Sequence, residues 1–216
     1  MRQLRDEYTN FKRRAAVLVP LISVMDELHI LLTLVRSRHL RSHAGEVSFP
    51  GGKVDDADPS LTHTALREAH EEIGLHADMV TVIGLLEPAL SRSNILVTPV
   101  MCIIKDSDFK PVINPDEVES CFTVPIERFL QKEGYQYMDF NWLDDVYRSH
   151  KFTWAGYTIF GFTAAVCIRL AKIAYKKEPE FEEMAPGQPP HHIQIKRMEW
   201  ELQGRSEGRS KRKAVL

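Results

Sequence analysis

Three glutamates recur at helical spacing in the segment from Ser48 to Leu75, which reads SFPGGKVDDADPSLTHTALREAHEEIGL. At about 100° per residue, Glu68, Glu71 and Glu72 lie within an arc of roughly 100° on one helix face. Carboxylates this close repel one another and raise one another's pKa, and a divalent cation relieves the repulsion. Because all the donors are oxygen atoms, they favour Mg²⁺ or Mn²⁺ over zinc, and Mg²⁺ in proteins often joins carboxylates to phosphate groups. The pattern therefore predicts metal-dependent phosphate chemistry.

The residues around the glutamates predict a helix over residues 59–73 that positions them. Asp58 is the candidate N-cap, Pro59 suits the first helical position and Gly74 is a typical stop. Four apolar residues recur every four positions and give the helix a core-facing stripe: Leu61, Ala65, Ala69 and Ile73. The glutamates would then face away from the core on a second stripe.

An isolated E-x-x-E-E sequence more often forms the solvated acidic face of an amphipathic helix than a metal site. Two neighbouring features favour catalysis here. Arg67 precedes the first glutamate, where its guanidinium group can orient or neutralise a carboxylate. The glycine turn at Gly51 and Gly52 lies just upstream at a matching spacing.

Residues Gly52–Leu75 resemble the Nudix box, G-x5-E-x7-R-E-U-x-E-E-x-G-U, in which U is a bulky aliphatic residue. The right half is matched by Arg67, Glu68, Glu71, Glu72, Gly74 and Leu75. The left half differs, because Gly52 lies one position further from Arg67 than the pattern requires. In addition, Asp58 replaces the first glutamate and Ala69 occupies the first aliphatic position. We therefore expect Asp58 to be mainly the helix cap rather than a metal ligand.

A second element immediately upstream, RSRHLRSHAGEVSFPGG, is similar to the R-[SA]-x3-R-x3-G-x3-F-P-G-G signature of the coenzyme A diphosphatase branch of Nudix hydrolases. The matching residues are Arg36, Ser37, Arg41, Gly45, Phe49, Pro50, Gly51 and Gly52. Guanidinium groups bind phosphate oxygens with paired hydrogen bonds, so Arg36 and Arg41 are expected to hold a substrate phosphate. In coenzyme A this would be the ribose 3′-phosphate. The alternative is an ordinary basic loop without a ligand. Gly51 and Gly52 also count among the expected substrate-binding residues.

The resemblance implies hydrolysis of coenzyme A or acyl-coenzyme A to 3′,5′-ADP and (acyl-)4′-phosphopantetheine, with Mg²⁺ or Mn²⁺ on Glu68, Glu71 and Glu72. The Glu71/Glu72 pair supplies the best candidates for the general base. Many relatives also use an acidic residue from a later loop, and here Glu117 is that candidate, against a solvated turn residue. Two other functions stay open. One is hydrolysis of another nucleoside diphosphate derivative, such as NADH or a nucleotide sugar, and the other is binding without catalysis.

Length and composition indicate a compact enzyme that acts on a small molecule. A chain of 216 residues with 44% hydrophobic content is long enough for one domain with a proper core. The formal charge of -2 argues against a nucleic-acid partner. The longest apolar runs, such as 15–23 and 159–166, are far shorter than the roughly 20 residues that span a membrane. The three cysteines, Cys102, Cys121 and Cys167, are expected to be reduced structural thiols.

Hydrophobic patterns predict strands on either side of the catalytic helix. The predicted strands cover 15–23, 28–36, 79–86, 95–105, 122–124 and 151–160, with a short helix over 125–130 and a closing helix over 163–176. Such an order indicates an α/β/α sandwich with a mixed sheet, the fold that the Nudix resemblance also implies. We expect an N-terminal extension over 1–14 and a hydrolase domain over 15–176. Residues 177–216 are rich in proline and charge, so we expect a mostly flexible tail.

The chain ends give a preference for the mitochondrion, with the peroxisome and cytosol as alternatives. The first residues are basic, as in a transit peptide, although Asp6 and Glu7 count against one. The last three residues, AVL, do not match the S-K-L type of peroxisomal signal. Residues 15–21 and 63–68 are most similar to the mitochondrial form of the family. No feature of the sequence specifies an oligomeric state.

Overall fold

The computed structural model describes residues 11, 13–35, 45–91, 95–142 and 145–190. Within these ranges the chain forms a large mixed sheet, a small antiparallel sheet and two α-helices. The large sheet contains β1 (Arg14–Val24), β2 (Glu27–Val35), β3 (Val47–Ser48), β4 (Gly51–Lys53), β5 (Val80–Leu85), β6 (Ala89–Leu90), β7 (Leu96–Ile104) and β8 (Val118–Pro125). The small sheet contains β9 (Tyr135–Trp142), β10 (Asp145–Trp154) and β11 (Tyr157–Phe160). The helices are α1 (Leu61–Ile73) and α2 (Gly161–Tyr175), and 3₁₀ turns cover Ala77–Met79 and Ile126–Leu130.

Strand β1 lies at the centre of the large sheet and supplies residues to two cores. It pairs in parallel with β7 and antiparallel with β2 and β4. Successive side chains of a strand point to opposite faces. Accordingly, Leu18 and Ile22 pack with the apolar stripe of α1, whereas Val19 and Leu21 pack with α2 and the small sheet. The two helices therefore cover opposite faces, which confirms the predicted α/β/α sandwich with a mixed sheet.

Most of the predicted elements are present, with small shifts at their ends. Five predicted strands correspond to β1, β2, β5, β7 and the longer β8. The predicted closing helix corresponds to α2, and the short helix after Pro125 is a 3₁₀ turn. The predicted segment 151–160 is divided between β10 and β11 by a turn at Ala155 and Gly156, both of which have positive φ. Strand β9 was not predicted. Nearly all of its side chains are exposed, so its sequence lacks the alternation of a half-buried strand.

Part of the predicted tail packs against the small sheet. The ring of Phe181 stacks on Tyr135 with centroids 3.7 Å apart, and Ala185 is buried. The Glu180 N–H donates to the Leu130 carbonyl at 2.8 Å, and Gln188 Oε1 accepts from the Arg148 N–H at 2.9 Å. Contacts with the domain therefore continue past the expected boundary at residue 176. The rest of the predicted tail, 191–216, and most of the N-terminal extension lie outside the described residues.

The remaining expectations about composition can be compared with the fold directly. Cys102, Cys121 and Cys167 are free thiols, as expected, and two of them are fully buried. In the part of the chain that the structure covers, neither helix has the length and apolar character needed to cross a bilayer.

A buried histidine makes the stability of the fold depend on pH. Burial lowers the pKa of His150 to about 4, and its Nδ1 lies 3.1 Å from the Tyr135 hydroxyl. In the unfolded chain His150 binds a proton as the pH falls below 6.5, whereas in the folded chain it stays neutral until about pH 4. The unfolded state therefore binds more protons between these two values. The free energy of unfolding is highest above pH 6.5 and decreases as the pH falls towards 4. We expect acidification from pH 7 to 4 to remove about 3 kcal/mol of unfolding free energy through this group. Urea unfolding at several pH values measures it.

The variant His150→Gln serves as the control because it keeps a polar side chain but does not titrate. Its stability should fall less than that of the parent over the same pH range. An equal fall in both proteins would show that His150 is not the source.

Candidate active site

Helix α1 is positioned by its apolar stripe and by caps at both ends. Ala65, Ala69 and Ile73 have no exposed surface, and they hold the helix against the large sheet. At the first turn the Ser60 hydroxyl accepts a hydrogen bond from the His63 N–H at 3.1 Å, so Ser60 is the N-cap. At the other end Gly74 adopts the left-handed conformation that commonly ends a helix. The prediction of Asp58 as the cap is therefore wrong, whereas that of Gly74 as the stop is confirmed.

Asp58 instead anchors an ion pair with Arg67. The Arg67 Nε and Nη2 atoms donate to the two carboxylate oxygens of Asp58, each at 3.0 Å. The carboxylate also accepts from the Thr64 hydroxyl at 2.8 Å and from the Asp55 N–H at 3.0 Å, and it lies 2.9 Å from His63 Nδ1. Only 1% of the Asp58 side chain is exposed. The Arg67 guanidinium therefore holds the pKa of Asp58 well below its usual range.

Arg67 also joins this anchor to the acidic face of α1. Its Nη1 atom lies 3.0 Å from Glu68 Oε1 and 3.3 Å from Glu71 Oε2, and its Nη2 donates to the Lys53 carbonyl at 3.3 Å. The expectation that Arg67 orients carboxylates matches these contacts. The guanidinium group therefore links the loop before α1 to two of the three glutamates.

The two glycines of the turn allow the acidic face to approach the β1 backbone. A Cβ atom on Gly52 would overlap the Glu68 carboxylate, and a Cβ on Gly51 would lie 2.5 Å from the Ala16 carbonyl oxygen. Glycine is therefore required at position 51, where the overlap is with backbone, whereas a side chain at position 52 would displace the Glu68 carboxylate. Burial raises the pKa of Glu68, and the charge of Arg67 partly opposes this.

Glu72 has the most perturbed carboxylate of the acidic face. Burial, together with the negative charges of Glu68 and Glu117, raises its pKa to about 8, and one hydrogen bond from the Gly51 N–H opposes the shift. That bond is long, at 3.3 Å from the nitrogen to Oε2. Glu71 differs, because 52% of its side chain is exposed.

The structure brings Glu117 to the same cluster from a separate loop. This loop is fixed to the end of α1, where the Val112 N–H donates to the Ile73 carbonyl and the Asn114 N–H donates to the Glu72 carbonyl. The exposed Glu117 follows in the next turn, and its charge contributes to the raised pKa of Glu72. Sequence reasoning named Glu117 but did not identify the anchor at Asn114, since a backbone contact leaves no signature in side-chain pattern.

Comparison with known proteins identifies the family. Residues 12–146 match the NUDIX domain model. The chain belongs to the NUDIX domain family. Nudix hydrolase 15, mitochondrial, of Arabidopsis thaliana is 42% identical over 180 residues, which are 81% of this chain and 63% of that protein. The peroxisomal coenzyme A diphosphatase NUDT7 of Mus musculus is 38% identical over 173 residues, which are 77% of this chain and 72% of that protein.

This chain spans roughly three fifths of the two plant relatives that it matches, at 63% and 59% of their lengths. Among solved structures, the Nudix hydrolase RenU of M. smegmatis has a TM-score of 0.50 and 18% sequence identity, covering 78% of this chain and 89% of that one. That likeness supports the NUDIX fold found here.

The acidic cluster of this NUDIX domain fits a hard divalent cation. In the described ranges no three His, Cys, Asp or Glu side chains are already arranged as a metal-ligand set. However, Glu68 and Glu72 present only oxygen donors and are partly desolvated, and neighbouring negative charges disfavour the ionisation of both: Glu71 and Glu117 for Glu68, and Glu68 and Glu117 for Glu72. A cation would reverse both effects, and oxygen-only ligands favour Mg²⁺ or Mn²⁺.

Of the four predicted substrate-binding residues, the structure describes the two glycines but not the two arginines. Arg36 and Arg41 lie outside the described residues, so the phosphate clamp stays a prediction. Gly51 and Gly52 contact the acidic cluster, through Glu72 and Glu68 respectively. Their direct contact with substrate also stays a prediction.

Removing the Asp58 charge should destabilise the domain strongly. In Asp58→Asn the Arg67 guanidinium loses its charged bidentate partner, and removing one side of this partly buried pair should cost about 2 kcal/mol. The control is Asp56→Asn, which removes an exposed carboxylate from the same loop and should cost under about 0.5 kcal/mol. Urea unfolding at pH 7 measures both, and equal effects would contradict the assigned anchor.

Proposed function

We propose that this NUDIX chain is a metal-dependent diphosphatase that hydrolyses coenzyme A or acyl-coenzyme A to 3′,5′-ADP and (acyl-)4′-phosphopantetheine. The observation that supports catalysis most strongly is the partly desolvated Glu72 carboxylate, held between the Gly51 turn and the charges of Glu68 and Glu117. A solvated acidic helix face would not show such a strongly raised pKa. Intact glutamates at the Nudix positions also disfavour a binding protein without catalysis.

Glu68, Glu71 and Glu72 would hold Mg²⁺ or Mn²⁺ on the acidic face of α1. When bound, such a cation neutralises charge on phosphoryl oxygens and makes a water molecule more acidic. Glu72 is the leading candidate for the general base, because a bound cation would lower its pKa from about 8 towards neutrality, where an ionised carboxylate accepts a proton efficiently. Glu117 is the second candidate, because it approaches the same cluster from the loop before β8.

Arg67 has a positioning role in this proposal. It holds Glu68 and Glu71 in a fixed relation to Asp58, so the carboxylates do not need to be ordered when substrate arrives. Preorganisation of this kind reduces the cost of reaching the transition state.

The choice of coenzyme A rests on the upstream element and on one relative. Arg36 and Arg41 occupy the arginine positions of the coenzyme A diphosphatase signature. The mouse relative at 38% identity is named a peroxisomal coenzyme A diphosphatase. Paired guanidinium groups suit the 3′-phosphate, which distinguishes coenzyme A from NADH and nucleotide sugars.

We also propose a mitochondrial location for this protein. The basic N-terminal residues and the Arabidopsis relative named as mitochondrial support it. The mouse relative named as peroxisomal makes the peroxisome the main alternative.

The substrate proposal predicts a strong preference for the 3′-phosphate. With Mg²⁺ present, kcat/KM for coenzyme A should exceed that for 3′-dephospho-coenzyme A at least about tenfold, the scale of one charge-assisted hydrogen bond. The variant Arg41→Gln should remove this preference by slowing only the coenzyme A reaction. Chromatography of the products measures both the rate and the bond that is cleaved.

Two further variants separate the possible outcomes. Arg38→Gln removes a neighbouring arginine that is not at a signature position, and it should keep the preference. Glu72→Gln should slow both substrates at least about 100-fold. Equal rates for the two substrates would contradict the clamp, and a small effect of Glu72→Gln would contradict the catalytic site itself.

A further inference from the structure

Strand β9 is an exposed edge strand without the usual protection against pairing. It is the last strand of the small sheet, in the order β11-β10-β9, and no strand in the described ranges pairs with its outer edge. Three large side chains are exposed along it: Tyr137 by 55%, Met138 by 58% and Phe140 by 43%. Its sequence, YQYMDFNW, contains neither lysine nor proline, the residues that commonly block edge strands. Such an edge favours pairing with another strand.

The ladder with β10 shows which backbone groups of β9 face outwards. The Thr153 N–H donates to the Gly134 carbonyl at 3.1 Å, so Gly134 faces β10. The Arg148 N–H, opposite Asp139, donates to Gln188 instead of to β9. Because hydrogen-bonded and non-hydrogen-bonded positions alternate in an antiparallel pair, the odd-numbered residues of β9 turn their N–H and C=O groups outwards. Three residues inside the strand have both groups available in this direction: Tyr137, Asp139 and Asn141.

The charge of this edge is balanced within the chain. Asp139 is the one charged residue of β9, and both its oxygens accept from the Arg148 guanidinium at 2.8 Å. The same guanidinium lies over the Tyr137 ring, 3.9 Å from its centroid. A second copy of the strand would therefore meet an edge without net charge rather than an array of like charges.

We propose that β9 pairs antiparallel with β9 of a second copy of the chain, about a two-fold axis that passes through Met138. Residues whose backbone groups face outwards must lie opposite residues of the same kind in the partner strand. The axis therefore lies where one residue is opposite its own copy, and not midway between two neighbouring residues. An axis at Asp139 would place two carboxylates opposite each other, which is unfavourable. An axis at Met138 places two exposed methionines together and lets Tyr137 exchange hydrogen bonds with the partner's Asp139. The two small sheets then form one continuous sheet across the dimer.

The oligomeric state of the full-length protein tests the pairing. Sedimentation equilibrium should show a dimer that dissociates on dilution. The variant Met138→Lys places two ammonium groups at the axis and should raise the dissociation constant at least about tenfold. Met138→Gln is the matched control, with a neutral side chain of similar length, and should stay within about threefold of the parent. A monomer at every concentration, or equal effects of the two variants, would overturn the proposal.

Disulfide formation tests the register independently of affinity. Met138→Cys should form a covalent dimer on mild oxidation, since residues opposite each other at a non-hydrogen-bonded position have Cα atoms about 4.5 Å apart. The control Gln136→Cys should not, because the two copies of residue 136 would lie roughly 14 Å apart along the strands. The parent chain gives the background from its own cysteines.

Two results would overturn the register or the partner. Cross-linking of Gln136→Cys as efficient as that of Met138→Cys would exclude an axis at Met138. A monomer whose Tyr137, Asp139 and Asn141 amides exchange slowly with deuterium would show that another part of the same chain, such as residues 191–216, covers the edge.

Discussion

The buried ion pair between Asp58 and Arg67 is the interaction on which the candidate site depends. Asp58 lies in the loop before α1 and Arg67 in the middle of the helix, so the pair fixes the loop to the helix. A buried carboxylate requires several donors to offset its desolvation, and Asp58 has them in Arg67, Thr64 and the Asp55 N–H. With the guanidinium fixed at one end, its remaining donor reaches Glu68 and Glu71 at a fixed geometry. The orientation of two candidate metal ligands, Glu68 and Glu71, therefore follows from the position of Arg67.

Glu72 lies outside the reach of this pair, and that difference gives it distinct chemistry. The apolar stripe of α1 sets the rotation of the helix, which turns Glu72 towards the Gly51 turn and away from solvent. Burial then raises its pKa, and no arginine contact among the described residues opposes the shift. The three glutamates of α1 therefore differ: Glu71 is exposed, Glu68 is paired with Arg67, and Glu72 has a pKa raised to about 8. The position of each glutamate around the helix axis decides its burial and its partners, and these decide its pKa.

Much of this site could be predicted from sequence because it lies on a single helix. Helical periodicity places Glu68, Glu71 and Glu72 together, and Gly74 ends the helix for conformational reasons that hold in any protein. The role of Asp58 was not predicted, because Ser60 and Asp58 are both good caps and only three-dimensional structure shows which one faces the first turn. The available signal was an acidic residue nine positions before Arg67, one position further away than the glutamate of the family pattern.

The small sheet and the segment after α2 were harder to predict for a different reason. Strand β9 exposes most of its side chains, so neither alternation nor a continuous apolar run marks it. Residues 178–190 are polar and proline-rich, yet Phe181 alone buries a ring against Tyr135, and backbone and side-chain hydrogen bonds hold the rest. The overall composition of a segment does not show that one residue within it packs against the domain. The coupling of Glu117 to Glu72 was likewise invisible in sequence, since it depends on backbone bonds between distant segments.

We expect Glu72 to be protonated when no metal is present and ionised when a divalent cation is bound to the acidic face of α1. Carbon-13 NMR of glutamate side-chain carboxyls, with Glu72 assigned from the Glu72→Gln variant, measures this directly. Without divalent cations the Glu72 pKa should be about 8, and saturating Mg²⁺ should lower it by more than about one unit. A pKa near that of an ordinary glutamate, unchanged by Mg²⁺, would contradict the account.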